Sequence, residues 1–206
     1  MAIRDLLWAC PLCGAEESIR PAGRGESCRA CGATFRRGRG AEIEAVPAGG
    51  GPIVRRAAEW VRRLPPVRLP GEGEDEGDAE TLYRTAPVEA RFAVAYTPVR
   101  RGRLFIGRVE RFGPARAGTL ELTSHALAFA PEAGAPCRWP LEEIGAVQPS
   151  SGVLQIKPRR EPVVTFRFRE GSVRLWQELI EAALRRFYRR TGRGEIVEFQ
   201  PRVSTR

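Results

Sequence analysis

From residue 88 onward apolar residues alternate with polar or small ones in short runs bounded by turn formers. That period-two pattern marks strands with one buried face. Residues 88–97 carry Phe92, Val94 and Tyr96 in alternation, 103–112 carry Leu104, Phe105, Ile106, Val109 and Phe112, and 118–123 place Leu120 and Leu122 on one side. Further strands are predicted at 126–130, 137–139, 146–148, 153–157 and 163–169, divided by Pro, Gly and Ser. The run at 88–97 reads either as an extra strand or as the first of the series. So many short strands predict a largely antiparallel sheet that curls into a barrel or sandwich. The period then changes. After Gly171-Ser172, whose hydroxyl can accept a hydrogen bond from a free amide at a helix start, Val173, Trp176, Leu179, Ile180, Ala183, Leu184 and Phe187 recur at helical spacing. Arg185, Arg186, Arg189 and Arg190 crowd the last turns, where positive charge complements the helix dipole, and Gly192 supplies the stop.

The N-terminal half is organised differently. Residues 1–46 read as a small module that ends where Pro47-Ala48-Gly49-Gly50-Gly51-Pro52 disfavours regular structure. A linker is predicted over 47–87. Within it, Ile53, Ala57, Trp60, Val61 and Leu64 fall on one side of a helix over 53–64, opposite Arg55, Arg56, Glu59, Arg62 and Arg63, and Pro65-Pro66 ends it. A basic amphipathic helix with a Trp can lie on an anionic membrane or dock on a protein surface, and docking is the better reading. The acidic, glycine-rich run at 71–80 repels itself and predicts a disordered spacer. The strand domain is then 88–192, with a tail at 193–206. No repeat of solenoid or propeller length is visible.

Chemistry enters with the cysteines. Four of the five form two Cys-x-x-Cys pairs, Cys10-Pro11-Leu12-Cys13-Gly14 and Cys28-Arg29-Ala30-Cys31-Gly32. A two-residue gap lets a tight turn aim both sulfurs at one ion, and the following glycine lets the backbone turn away. Two such pairs supply the four thiolates of a tetrahedral zinc site. The connection over 14–27 has room for a hairpin. All four positions being protein sulfur, no coordination site is left for water or substrate, which makes the predicted Zn2+ structural. A redox dithiol would not need two matched pairs. The pattern resembles the zinc-ribbon family, whose members use paired knuckles in this role. Cys137 is left over and reads as a small buried hydrophobe.

Charge changes the picture less than its size suggests. The net charge is +9, and residues 101–206 carry 19 Lys+Arg against 11 Asp+Glu, whereas 1–45 carry 7 against 6 and 46–100 carry 8 against 8. Anionic partners, nucleic acid or an acidic lipid surface, have to be considered. Lys157 is the only lysine, and the wealth of Ala, Gly, Pro and Arg looks like the drift of a GC-rich genome. In the first module Phe35, Arg36, Arg37 and Arg39 form an aromatic-plus-basic patch of the kind that stacks on bases. The two negative charges of a four-thiolate Zn2+ site offset part of it, and protein contact is favoured over nucleic acid. No apolar run approaches the length of a membrane span, no secretory leader is visible, and cysteines in metal-type pairs suit a reducing compartment. A cytoplasmic protein is the expectation, peripheral at a membrane if it binds one.

The strand domain carries a second resemblance. Gly118-Thr119-Leu120-Glu121-Leu122-Thr123-Ser124, then Leu127-Ala128-Phe129, then Trp139-Pro140-Leu141-Glu142-Glu143-Ile144 and Val147, resemble the GRAM family of pleckstrin-homology-like (PH-like) domains, in which a Trp-bearing C-terminal helix plugs the barrel; here the Trp would be Trp176. The likeness covers about residues 101–190. It implies lipid-headgroup or protein binding without catalysis. Basic residues near the open end of such barrels often face the ligand, and Arg101, Arg103, Lys157, Arg159 and Arg160 are the candidates by charge. The fold class expected is α+β, mainly β: a zinc ribbon, a linker, and a PH-like antiparallel barrel closed by a C-terminal helix.

Nothing in the sequence reads as an active site. His125, the only histidine, lies in a Ser124-His125 turn with no Asp or Cys near it. A serine-hydrolase elbow, a phosphate-cradling glycine loop and a helical zinc-protease motif are absent. The reading favoured is a non-enzymatic adaptor without a small-molecule substrate, with a ribbon that recruits a protein and a barrel that engages an acidic lipid surface or a second protein. A nucleic-acid-binding ribbon protein and a structural subunit of a larger complex are the alternatives.

Overall fold

The computed structural model describes residues 2–70, 80–150, 152–169 and 171–192. The chain divides into two compact units, residues 1–67 with Gly171–Trp176 and residues 68–170 with 177–206. The tail at 193–206 and all of the acidic run except Glu80 lie outside the described residues.

The first unit opens with a single helical turn, α1 (Ile3–Leu6), followed by an antiparallel meander of five strands in sequence order: β1 (Ile19–Ala22), β2 (Gly25–Cys28), β3 (Thr34–Arg37), β4 (Glu42–Val46) and β5 (Ile53–Arg56). A short helix, α2 (Ala57–Val61), closes it. The hairpin expected over 14–27 is β1 and β2, with Ile19 opposite Cys28 and Ala22 opposite Gly25. Its core is small, built around Leu7, Ile19, Phe35, Ile43 and Trp60 together with Cys10 and Cys28. Glu26, only 7% exposed, is satisfied by the backbone amide of Arg4 at 2.8 Å and its guanidinium at 3.2 Å, which ties α1 to β2. Ser172 belongs to this unit. Its hydroxyl donates to the Asp5 carbonyl at 2.9 Å and accepts from the Leu175 amide at 3.4 Å.

Two expectations fail here. The helix over 53–64 is half strand: residues 53–56 pair with β4, Ala45 opposite Ile53 and Glu42 opposite Arg56, and only Ala57–Val61 is helical. β-branched Ile53 and Val54 suit an added strand, which continues a sheet already formed. Trp60 is fully buried and its indole N–H donates to the Ile43 carbonyl at 2.9 Å, so this face belongs to the unit's own core and is not offered to a membrane. The module accordingly extends through α2 and does not end at residue 46.

The second unit contains β6 (Leu82–Arg101), β7 (Leu104–Phe112), β8 (Arg116–Thr123), β9 (Ala126–Pro131), β10 (Cys137–Pro140), a 3-10 turn (Leu141–Glu143), β11 (Ile144–Ser150), β12 (Val153–Pro158), β13 (Val164–Phe168) and, from Gln177 onward, the helix α3 (Val173–Arg190). The run at 88–97 is the middle of β6, whose first residues 82–87 fall in what the sequence suggested was linker. The antiparallel sheet runs β10-β9-β8-β6-β13-β12-β11, with β7 paired to β6 off this path. The two end strands, β10 and β11, are not paired with each other, so hydrogen bonding does not close a barrel. They are nevertheless joined by the three-residue 3-10 turn, and so short a tether holds the two edges close, which requires a strongly curled sheet.

Inside the curl Phe129, Trp139 and Phe166 are buried, with ring centroids 5.9 to 6.4 Å apart among themselves and Phe92. Such tilted and edge-on contacts suit the ring quadrupoles. Leu120, Leu122, Leu127, Leu141, Ile144 and Val147, which carry part of the GRAM resemblance, are also core. Gly118 is required by close approach, since a Cβ there would stand 2.3 Å from the Ala130 carbonyl oxygen. The turn after β8 is pinned by Thr123, whose hydroxyl accepts from the Ala126 amide at 3.0 Å and bonds to Glu80.

Candidate metal centre and basic cleft

The chain builds the first site from two matching knuckles. Cys10 and Cys28 each accept, through the backbone carbonyl, the amide of the glycine four residues on, Gly14 at 2.8 Å and Gly32 at 2.9 Å. Both glycines take left-handed backbone, φ 77° and 73°, where other residues are strained. Each knuckle closes on a second bond, Cys10 amide to Ala15 carbonyl at 2.9 Å and Cys28 amide to Ala33 carbonyl at 2.8 Å. Repeating one turn twice presents four sulfurs inward.

The four Sγ atoms lie within 4.8 Å of one another. Across the knuckles Cys10 and Cys31 are 3.7 Å apart, as are Cys13 and Cys28. Those separations are far too long for a disulfide. They match the edge of a tetrahedron whose centre is about 2.3 Å from each sulfur, which is about 3.8 Å. The donor set therefore fits a four-coordinate divalent ion. Amides of Leu12 and Cys13 point at the Cys10 sulfur, and those of Ala30 and Cys31 at the Cys28 sulfur, the arrangement that stabilises thiolate. Burial raises the Cys10 and Cys31 thiols. At Cys28 burial pushes the same way but is outweighed by the Ser18 hydroxyl at 3.2 Å and those amides, which bring the thiol down to about 6. Thiolate is thus favoured at Cys28 over Cys10 and Cys31, where a bound cation would supply the charge that offsets burial. Cys137 stands apart on β10, half-buried, its thiol raised by burial.

The basic residues chosen by charge are scattered. Arg101 ends β6 and Arg103 sits in the tip turn beside Gly102. Lys157 lies on β12 with its ammonium 5.7 Å from the Tyr96 ring centroid. Arg101 is five residues further along β6 than Tyr96, about 17 Å, so Lys157 and the tip arginines do not converge. Arg159 and Arg160 follow β12, with Arg160 facing Glu143 at 4.0 Å. What does converge is a different set. Tyr96, Pro98, Arg100, Phe105 and Arg108 line an open cleft of about 540 Å³ on one face of the β6–β7 hairpin. Cross-strand pairing explains it, since Pro98 stands opposite Arg108 and Arg100 opposite Phe105. The sequence carried a faint signal, the alternation of Tyr96, Pro98 and Arg100, but strand length was needed to read it. The ribbon patch also changes: Phe35 is fully buried in the core of the unit, which leaves Arg36, Arg37 and Arg39 exposed without that ring beside them.

No protein-family model matches the chain, and no curated protein matches it. Among solved structures it is similar to the C-terminal domain of an unknown protein from Leishmania infantum, at 17% identity and TM-score 0.34, covering 51% of this chain and 85% of that one. It is also similar to the N-terminal PH domain of human ARAP2, at 9% identity and TM-score 0.36, covering 63% and 99%. Neither score is high enough to bear on function. No described helix is long and apolar enough to cross a membrane.

Proposed function

We propose that the protein is a non-enzymatic, zinc-containing adaptor of the cytoplasm: the ribbon recruits a partner protein, and the second unit, a PH-like domain of the GRAM kind, engages an acidic lipid surface. The observation that carries the lipid half is the cleft, where Arg100 and Arg108 stand beside two aromatic rings with Lys157 over Tyr96. Basic groups beside aromatic rings suit an anionic headgroup at an interface. The ribbon's closed coordination gives the metal a scaffolding role, which leaves its surface for protein contact. Burial of Phe35 weighs against base stacking there.

Elemental analysis of the purified, untagged chain tests the metal, with one zinc per chain and no iron expected. Flotation with phosphatidylserine vesicles tests the cleft. Arg100→Gln with Lys157→Gln removes two charges, about 2 kcal/mol, and should weaken binding on the order of thirtyfold. Equal binding to neutral vesicles would overturn the lipid reading, as would a steep salt dependence with single-stranded RNA and none with lipid.

A further inference from the structure

The β6–β7 hairpin extends beyond the rest of its sheet. β13 pairs with β6 only as far as Phe92 and β8 only as far as Ala90, while β7 follows β6 from Ala93 to Arg101. Residues 93–101 with β7 form a two-stranded ribbon about 30 Å long. Among the described residues β7 pairs with β6 alone, so its other edge is open along the strand. Among the described residues the hairpin also holds most of the exposed large apolar side chains, Leu104 at 68%, Val109 at 57% and Ile106 at 50% among them. Natural proteins cover or disrupt such an edge, because it is a template for another strand.

We infer that two copies of the chain associate through this edge, β7 against β7 in antiparallel register about a two-fold axis at Val109. Opposed residues in an antiparallel pair alternate between two hydrogen-bonding types, so a two-fold axis must pass where a residue faces its own copy. With Val109 at the axis, Arg108 faces Glu110 of the second copy and Glu110 faces its Arg108. Arg111 meets Gly107, which has no side chain to collide with, and the regular stretch ends there, since the register of β7 against β6 shifts at Ile106. The alternatives are worse: an axis at Arg108 or at Glu110 sets each like charge on itself, and an axis at Gly107 sets Arg111 on Arg103. Neither Arg108 nor Glu110 forms an ion pair within the hairpin, where their cross-strand neighbours are Pro98 and Tyr96. The remaining arginines do not oppose the pairing. Arg103 lies six residues from the axis on each strand, so the two tips are about 40 Å apart, well beyond the screening length of roughly 8 to 10 Å. The product is a continuous four-stranded ribbon with two ion pairs and an apolar centre.

Sedimentation velocity on the full zinc-loaded chain, from micromolar to hundred-micromolar concentration, tests this. The wild-type chain should dimerise. Arg108→Glu alone, or Glu110→Arg alone, turns both ion pairs into repulsions and should weaken the dimer on the order of tenfold or more. An equimolar mixture of the two variants should restore a dimer containing one of each, and the double exchange R108E/E110R should restore the homodimer. Restoration by mixing also shows that the single variants are folded. A chain monomeric throughout, single variants as dimeric as wild type, or a mixture that does not recover would each overturn the inference. So would a monomer whose β7 amides become protected only on acidic vesicles. Arg108 lines the cleft as well, so the lipid reading is tested through Arg100 and Lys157, which lie outside the pairing and leave the dimer intact when exchanged.

Discussion

The two units enclose their interiors by different means. In the second, Phe129, Trp139 and Phe166 are buried in mutual contact beneath a curled sheet, surrounded by Leu and Ile from its strands. In the first, two of the ten residues of the buried core cluster are Cys10 and Cys28, and its only aromatic members are Phe35 and Trp60. A module of that size removes too little apolar surface from water to fold securely. Four converging sulfurs form a donor set that a cation could tie together, and the comparison teaches where a core this small has room for such a tie.

The contrast breaks most sharply on metal removal. Chelation, or Cys28→Ser, should cost the first unit on the order of 10 kcal/mol, seen as loss of amide protection over 2–67, while the second unit keeps its own transition. Persistence of protection around Trp60 after complete removal would erase the distinction. Trp139→Ala probes the other side: it should destabilise the second unit by about 3–5 kcal/mol in calorimetry and leave the metal content unchanged. The smallest effect sharpens the picture at the β8 turn. The Thr123 hydroxyl and then the Arg138 guanidinium hold the Glu80 carboxyl below its ordinary value of 4.5. A carboxyl depressed in the folded state stabilises above its unfolded pKa, and that stability is lost as pH falls through the folded one. Glu80 is more than a third exposed, so Glu80→Gln should cost less than about 1 kcal/mol at neutral pH, with thermal midpoints of variant and wild type converging in acid.

Much of this was legible because local signals agreed. Strands β8 to β13 alternate cleanly between turn residues, and α3 has a continuous apolar stripe, so period alone located them. The sulfur site was legible because two identical knuckles encode a geometry that spacing preserves. Elsewhere two readings fitted the same letters. Ile53, Val54, Arg55 and Arg56 satisfy a helical pattern with Trp60 and a strand pattern by themselves, and only the neighbouring β4 decides. Phe35 looked available because three arginines follow it, yet it is buried in the core of its unit. Arg100 and Arg108 were indistinguishable from the arginines around them until register placed them on one face, while Val94 and Leu104 mimic core residues on strands that outrun the core.

The position of β6 at the middle of the sheet bears on how the second unit assembles. β6–β7, β8–β9 and β9–β10 can form as local hairpins, β8 then returns to pair with β6, and β11 to β13 form another short series, but the two halves meet through one ladder, from Val164 opposite Phe92 to Phe168 opposite Val88. Those partners are more than 70 residues apart along the chain. Local hairpins close in microseconds, whereas a contact that spans so much chain must first meet the entropy of ordering it. That ladder is thus the expected rate-setting step, and residues such as Ala90 and Phe166, paired across it, govern the speed at which the fold is reached.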